Sequence, residues 1–462
     1  MEIATLLQDV IPHLISDLDN NFLVFTPNGE EVRNAVFHMN PSSAPGPDGF
    51  SGAFFQACWD IIGQDVVAGV QQFFSDNYLL PNINSNFLVL IPKSKEANEI
   101  SHYRPIVLAN FFFKIITKVM ATRLGIIMDK IISPHQTAFV QDRSIHDCIA
   151  LVSEGVNMLD KKSYGGNIGL KLDISKAFDT LSWEFLLLVL KSFGFHEIFI
   201  RRVHLILQSA KLSILLNGTP HSYFSCGRGV RQGDPLSPLL FCIAEEVLSR
   251  GILALHNSGK ITQSLNPLLE DYGLASGQIT NRSKSYFYVG KSAIARKEII
   301  KASLGFLEGS LPFNYLGVPI FKGCPKRQHL QALADKARAC FFGWQGKILS
   351  MAGRVELVRS IFQSVLLHSF TVYLWPRSLL RYLQASARNF ILSGDLQRRK
   401  LALISWDQIC SPKEEGGLGL RRGRFQGKFL VRQMDVKTYL AENSKWKPPN
   451  HSFKGYPKWW IR

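Results

Sequence analysis

An aspartate that directly follows an alternating apolar run is the residue best placed for metal chemistry. Ile168, Leu170 and Leu172 alternate with their neighbours as in a β-strand. Asp173 comes next. A carboxylate at the end of a buried strand can hold Mg²⁺ against the phosphates of a nucleotide, because phosphoryl transfer needs positioned cations. The alternative is an aspartate that caps a turn between strand and helix, and for this motif alone that alternative would be preferred.

A second motif, Arg231-Gln232-Gly233, is more specific. Gly233 would let the backbone approach a base pair closely, and Gln232 offers an amide donor and acceptor beside it. A loop that enters a capped helix explains Ser237 and Pro238, which follow, but it does not explain Arg-Gln-Gly.

Two basic residues stand at the ends of predicted strands. Lys93 directly follows the apolar run 86–92, and Arg104 is the second residue of the run 103–108. Such a pair can clamp a triphosphate, the arginine in bidentate fashion and the lysine as a point charge. Taken singly, each is more often a solvated surface charge.

Hydrophobic spacing predicts the elements that must position these residues. We expect a rigid Pro/Gly-rich loop over 43–50. Ser182 is expected to be the N-cap of the helix 183–192. The expected helices cover 1–40, 51–76, 111–129 and 183–192, a segment from 237 onward, and most of 291–400.

Composition indicates a globular protein with a polyanionic partner. The 462 residues suit two or three subdomains, and 46% are apolar and 19% charged. The formal charge of +17 favours nucleic acid over a membrane as partner. Residues 1–60 carry eight acidic side chains against Arg33 alone, whereas residues 398–462 carry fifteen Lys/Arg against five Asp/Glu. This uneven distribution is typical of an oriented nucleic-acid binder.

The seven cysteines are scattered and form no C-x-x-C pair, so neither a zinc site nor a redox motif is indicated. A dispersed, odd number of cysteines suits a reducing compartment. Without a recognisable signal peptide or transmembrane stretch, we expect the protein in the nucleus or cytoplasm.

With these motifs in order, the chain resembles the polymerase region of a plant LINE-type (non-LTR) retrotransposon reverse transcriptase. Further runs carry the resemblance almost from end to end: 44–50, 135–143, 273–284, 315–319, Trp344, Gly353-Arg354, 405–407 and 416–419. The resemblance implies an α+β fold shaped as a right-hand polymerase, with fingers, a truncated palm and a helical thumb-like region. Its expected limits are a helical N-terminal extension (1–42), fingers (43–164), palm (165–290), thumb-like region (291–410) and basic C-terminal segment (411–462).

The same resemblance implies roles for individual residues. Asp173 matches the first catalytic, metal-binding aspartate, which would hold Mg²⁺. Phe178 matches the aromatic residue that screens the sugar 2′ position. The implied nucleotide- and template-binding residues are Lys93, Arg104, Phe178, Arg231, Gln232, Gly233 and Lys284. The implied contacts to nucleic-acid backbone are Arg421, Arg422, Arg424 and Lys428. The implied partners are an RNA template, a DNA primer and dNTPs, with no membrane and no other small-molecule cofactor.

The family's aromatic-x-Asp-Asp hairpin, which supplies the other two catalytic aspartates, is missing. No Asp-Asp pair occurs in the sequence, and residues 253–261 run from one predicted helix almost straight into the next. Glu270-Asp271 lies within a helical pattern, and Glu245 and Glu246 lie on the helix after Ser237. We therefore expect a polymerase by ancestry that is inactive, with an unpaired edge on the strand before Asp173. The endonuclease, zinc-binding and RNase H-like segments of such elements are also not found, so a truncated reading frame is expected.

Two other functions fit parts of the sequence. One is a non-catalytic nucleic-acid-binding protein that uses the surviving fingers and the basic tail. The other is a mitochondrial intron maturase, a related polymerase, but the acidic N-terminal region argues against a presequence.

Overall fold

The computed structural model describes residues 7, 10–163, 166–259, 261–342, 346, 348–361, 365–398, 406–411 and 415–418. The chain divides into two compact units. The first unit comprises Met1–Arg143, Lys171–Tyr286 and Glu298–Leu307, and the second comprises Ser144–Leu170, Phe287–Lys297 and Glu308–Arg462. Helices and sheets are both present, which confirms the expected α+β class.

The first unit consists of helices around a four-stranded sheet. Its helices are Asp17–Val24, Gly29–His38, Gly52–Ala57, Trp59–Asp76, Phe111–Ile131, Ala177–Thr180, Trp183–Phe193, Glu197–Gln208, Ser237–Asn257, Ile261–Ser276 and most of Lys297–Leu304. A 3₁₀ turn covers Ile100–His102. As expected, Ser182 caps its helix, because its hydroxyl oxygen accepts a hydrogen bond from the Phe185 amide at 3.3 Å.

The sheet begins with the hairpin that carries the two basic strand ends. Ser85–Pro92 pairs antiparallel with Tyr103–Ala109 on one side and parallel with Lys211–Leu216 on the other. Thr219–Ser225 completes the sheet as an outer strand that is exposed along its whole length. Its pairing is interrupted by a register shift, and an irregular edge of this kind hinders pairing with other chains.

The N-terminal forty residues follow their predicted course only in part. Helices form at Asp17–Val24 and Gly29–His38, but residues 11–16 are not helical. In this stretch the amides of Leu14 and Ile15 both donate to the Phe193 carbonyl, at 3.0 and 3.1 Å. A long-range contact therefore overrides the helical spacing of the sequence.

The helix Phe111–Ile131 is buried over most of its surface, and Arg123 ties it to the N-terminal residues. The Arg123 side chain is 1% exposed and forms a two-point ion pair with Glu31, at 2.6 and 2.8 Å. It also donates to the Phe25 carbonyl at 2.5 Å. A buried guanidinium needs this full set of acceptors, because an unpaired buried charge is strongly unfavourable.

The second unit contains helices and two small sheets. The helices are Ile145–Met158, Arg327–Phe342, Met351–Ile361, Leu367–Val372, Arg377–Ser393 and Trp406–Ile409, and a 3₁₀ segment covers Lys291–Arg296. A three-stranded sheet, most of whose residues belong to this unit, has the order Ile168–Lys171, Tyr286–Val289, Leu307–Glu308. Ile168–Lys171 is its end strand, which confirms for the described part of the chain the expected unpaired edge before Asp173.

A hairpin within 291–400 departs from the helical prediction. Phe313–Tyr315 pairs antiparallel with Val318–Ile320. The two residues between them, Leu316 and Gly317, both have positive φ, at 46° and 86°. Two consecutive positive φ values define the tight turn that joins antiparallel strands, which periodicity over such short strands does not reveal.

Among the helices that the structure describes, none combines the length and the apolar character needed to cross a bilayer.

We expect Arg123→Leu to lower the free energy of unfolding by about 3–5 kcal/mol, because Glu31 and a main-chain acceptor would lose their buried partner. Urea denaturation measures this change. The matched control is Lys130→Met on the same helix, whose ion pair with Asp19 at 2.6 Å involves a lysine that is 54% exposed. That variant should lose no more than about 1 kcal/mol. Equal losses in the two variants would contradict a structural role specific to Arg123.

Candidate functional site

Asp173 lies between two short strands, and its main chain is fixed on both sides. Its amide donates to the Ser285 hydroxyl at 3.0 Å, and its carbonyl accepts from the Asn281 amide at 2.7 Å. The Asp173 side chain is half-buried. Within the described ranges, no hydrogen bond or ion pair engages its carboxylate, so this group is available to a ligand.

The segment after Asp173 is paired with residues that come about a hundred positions later in the chain. Ile174–Ser175 pairs antiparallel with Ile279–Thr280. Gly277 has a φ of +75°, and a Cβ there would lie 2.6 Å from the Thr180 carbonyl oxygen. Only glycine suits both the conformation and the close approach.

The helix that begins at Ser237 is followed almost directly by another helix. Ser237–Asn257 and Ile261–Ser276 are separated only by residues 258–260. The two helices pack closely, since a Cβ at Gly251 would lie 3.0 Å from Leu268 Cδ1. No strand occurs between 237 and 276 in the residues that the structure describes, so the direct helix-to-helix passage expected from the sequence is confirmed.

No metal-binding cluster forms at Asp173 in the residues that the structure describes. In the described part of the chain, no group of three or more His, Cys, Asp or Glu side chains is arranged to hold a metal ion. Glu270 instead forms an ion pair with Arg282 at 3.0 Å. The residues present at Asp173 therefore do not fit a pair of metal ions.

Glu245 and Glu246 have structural partners, as expected. Glu246 accepts from the amide and hydroxyl of Ser133, at 3.1 and 2.6 Å, and pairs with Arg250 at 2.9 Å. Glu245 accepts from the Tyr272 hydroxyl at 3.2 Å. Burial raises the pKa of Glu245 to about 7. Neither carboxylate replaces the missing aspartates.

Phe178 is held by two other rings. It stacks on Phe241 with centroids 4.4 Å apart, and Phe139 approaches it edge-on at 6.5 Å. Its carbonyl accepts from the Val230 amide at 2.7 Å, which fixes it beside the Arg-Gln-Gly loop. Its role at the sugar stays a prediction.

Arg231 was predicted to contact nucleotide or template, but its guanidinium is used inside the protein. It is 8% exposed, donates to the Asn84 side chain and lies 3.4 Å from an Asp234 carboxylate oxygen. It also covers the Phe113 ring at 4.6 Å. Arg231 therefore shapes the loop and is not a free charge for a ligand.

Gln232 and Gly233 follow the edge of the strand Tyr103–Ala109. The Val107 amide donates to the Gln232 carbonyl at 3.2 Å. Gly233 is exposed with a φ of +112°, and a Cβ there would lie 3.0 Å from the Val107 carbonyl oxygen. The backbone at Gly233 therefore lies close to this strand. Its predicted approach to a base pair stays a prediction.

Three of the predicted basic residues face solvent. Lys93 is exposed and its ammonium donates to the Ser101 carbonyl at 2.8 Å. Burial raises the pKa of Asp179, and the nearby charges of Lys176 and Lys93 partly offset that rise. Arg104 and Lys284 are exposed, and no ion pair involves them in the described residues. The predicted backbone contacts Arg421, Arg422, Arg424 and Lys428 lie outside the described residues.

Sequence reasoning did not single out Lys114, which lies beside this loop. It is on the first turn of Phe111–Ile131, and burial lowers its pKa while the charges of Asp234 and Asp48 oppose that change. The Asp48 amide donates to the Asn110 side chain at 3.2 Å, which places the Pro/Gly-rich loop at the same helix end. The sequence feature that could have identified Lys114 is its position directly after three consecutive phenylalanines.

Comparisons with known proteins indicate the family of this chain. Residues 91–320 match the model of the family "Reverse transcriptase (RNA-dependent DNA polymerase)". A transposon TX1 149 kDa protein of Xenopus laevis is 24% identical over 447 residues, which cover 90% of this chain and 34% of that protein. A putative ribonuclease H protein of Arabidopsis thaliana is 29% identical over 129 residues, 28% of this chain and 21% of that protein. The Pol polyprotein of the type-2 retrotransposable element R2DM of Drosophila melanogaster is 29% identical over 214 residues, 45% and 19% of the two chains.

The chain contains a reverse transcriptase domain of the non-LTR retroelement type. It spans about a third of the length of the first of these relatives and about a fifth of the other two.

Substitutions at Arg104 and Arg231 distinguish a residue that contacts a ligand from a residue that stabilises the fold. We expect Arg104→Ala to weaken binding of a dNTP by about tenfold, because a charge-assisted contact to the triphosphate is lost, while leaving the melting temperature unchanged. Arg231→Leu should instead lower the free energy of unfolding by about 3–5 kcal/mol, because Asp234 loses its buried partner. Fluorescence anisotropy with a labelled dNTP measures the first effect, and urea denaturation measures the second. A stable Arg231→Leu protein with only weakened dNTP binding would restore Arg231 as a ligand contact.

Glu245 should make stability depend on pH. Its pKa is higher in the folded protein than the usual 4.5, so its contribution is complete below about pH 4.5 and is lost as the pH rises through about 7. Relative to Glu245→Gln, which cannot ionise, the native chain should lose up to about 3 kcal/mol between pH 4.5 and 8. Urea denaturation at a series of pH values measures this difference, and parallel curves for the two proteins would contradict it.

Proposed function

We propose that this chain is a plant LINE-type reverse transcriptase region that binds an RNA template and a DNA primer but does not polymerise. The subdomain limits that go with this proposal are the N-terminal extension at 1–42, fingers at 43–164, palm at 165–290, thumb-like region at 291–410 and basic segment at 411–462. The Arabidopsis relative and the plant-type runs of the sequence support the plant assignment.

One observation carries the proposal of inactivity. The strands that flank Asp173 are paired with the segment after the missing hairpin, and the described residues offer no cluster of ligands around it. A polymerase site needs carboxylates that hold two Mg²⁺ ions on the attacking and leaving oxygens. Each 1.4 kcal/mol of transition-state stabilisation that is lost costs about tenfold in rate, so a single carboxylate is insufficient.

The remaining residues keep roles in binding. Lys93 and Arg104 lie near the end of one hairpin, where Arg104 is opposite Ile91. Both residues are proposed to contact the triphosphate of a dNTP. Gln232 and Gly233 are proposed to lie against the template–nucleotide pair, and Phe178 is proposed to face the sugar. Lys284 is proposed to face the phosphates, and Arg421, Arg422, Arg424 and Lys428 to contact nucleic-acid backbone.

The cellular location is part of the proposal. None of the seven cysteines, all of which the structure describes, forms a disulfide, and two of them are buried. Free thiols persist in reducing surroundings, which supports the nucleus or cytoplasm.

A second candidate is a non-catalytic nucleic-acid-binding protein derived from the element. The exposed charges of Lys93, Arg104 and Lys284 favour it, because they remain available without the catalytic hairpin. This candidate predicts an affinity for RNA that falls steeply with salt concentration and does not depend on Asp173.

Primer extension on a primed RNA template with Mg²⁺ tests the proposal. We compare the native chain, its Asp173→Ala variant and a chain with the aromatic-x-Asp-Asp hairpin rebuilt between 253 and 261. Extension by the rebuilt chain alone is expected, with RNA binding by the native chain and by Asp173→Ala unchanged. Extension by the native chain that Asp173→Ala abolishes would show that other carboxylates complete the site. Absence of RNA binding in the native chain would contradict both candidates.

A further inference from the structure

Three consecutive helices of the first unit each expose an apolar side chain. Gly29–His38 presents Phe37, which is 42% exposed, and the next helices present Phe54 and Ile61, at 36% and 82%. Phe50, at 45%, precedes them. We call Phe37, Phe50, Phe54 and Ile61 the aromatic patch. Exposed apolar residues that occur singly are ordinary, but a group of this kind marks a contact surface.

The aromatic patch has a defined shape. Phe50 and Phe54 lie 4.6 Å apart between centroids, and Phe37 meets Trp59 edge-on at 6.1 Å. The Gln56 amide joins the helices beneath, since it donates to the carbonyls of Val36 and Met39 at 3.0 Å each. A rigid aromatic surface loses little conformational entropy on binding.

Two of the same helices also carry exposed acids. Glu30, Asp60 and Asp65 are exposed, and none forms an ion pair in the part of the chain that the structure describes. We call these three residues the acidic rim. Between Arg33 and Lys93 the sequence has no Lys or Arg, and Arg33 itself covers the Phe37 ring at 4.7 Å.

This combination disfavours nucleic acid as the occupant. Phosphates are repelled by unpaired carboxylates, whereas the residues predicted to contact nucleic-acid backbone, Arg421, Arg422, Arg424 and Lys428, are all basic. The acidic rim favours a positively charged partner, and the aromatic patch requires that partner to be apolar on one side. An amphipathic helix with a basic face meets both requirements.

We propose that the aromatic patch and the acidic rim bind a basic amphipathic helix of a partner protein. The apolar side of that helix covers Phe37 and Phe54, and its Lys or Arg side chains pair with Asp60 and Asp65. This binding is separate from template binding and from the question of catalysis, so its test does not depend on the proposed function.

Fluorescence anisotropy tests the proposal with a labelled 18-residue Leu/Lys peptide of helical period and a scrambled peptide of the same composition. The full chain should bind the first peptide more tightly than the second. Joint replacement Phe37→Ser and Phe54→Ser should weaken binding by about tenfold, as for central aromatic contacts elsewhere. Asp60→Lys should weaken it by about threefold, and more so at low salt.

The matched controls are Ile126→Ser, at a residue that is 62% exposed on another helix, and Glu298→Lys, at an exposed acid of the first unit. Both should leave the affinity within about twofold, as surface substitutions away from an interface do. Equal binding of the scrambled peptide, or unchanged binding by the Phe37/Phe54 variant, would overturn the proposal. Displacement of the peptide by RNA would assign the surface to nucleic acid, and a dimer in sedimentation that the Phe37/Phe54 variant abolishes would assign it to a second copy. Either result would also overturn it.

Discussion

Backbone pairing across Asp173 is the interaction on which the rest of the first unit depends. The Asp173 amide and carbonyl are both bound by residues of 281–285, and the Ser182 amide donates to the Ser276 carbonyl at 2.8 Å. Unpaired backbone groups in a buried strand are costly, so a strand that lost its neighbours would be expected to unfold locally. Here residues 279–280 and 286–289 pair with the short strands on either side of Asp173, and the aspartate keeps an ordered position.

The same chain places its basic side chains in two different settings. Arg123, Arg202 and Arg231 are buried and satisfied by carbonyls, carboxylates or amides of the protein. Lys93 and Arg104 are exposed near one hairpin end. The net charge of +17 therefore overstates the charge available to a nucleic acid, because part of it stabilises the fold. The exposed acids Glu30, Asp60 and Asp65 form no ion pair in the described residues.

Much of the architecture could be predicted from the sequence because its signals are local. Ser182 as a cap, the Pro/Gly-rich loop and the passage from one helix into the next at 253–261 all depend on neighbouring residues. The burial of Arg231 could not be predicted, since Asn84 and Phe113 lie more than a hundred residues away in sequence. Residues 11–16 were misassigned for the same reason, because the amides of Leu14 and Ile15 donate to the Phe193 carbonyl, far away in sequence. The roles of the predicted site residues stay predictions, because geometry places them but does not show what they bind.

The number of Mn²⁺ ions bound by the native chain and by Asp173→Ala, counted by electron paramagnetic resonance titration, tests the central claim most directly. We predict that Asp173→Ala does not remove a pair of bound Mn²⁺ ions, because one carboxylate cannot hold two metals. Two Mn²⁺ ions that bind the native chain and are lost together in Asp173→Ala would contradict it.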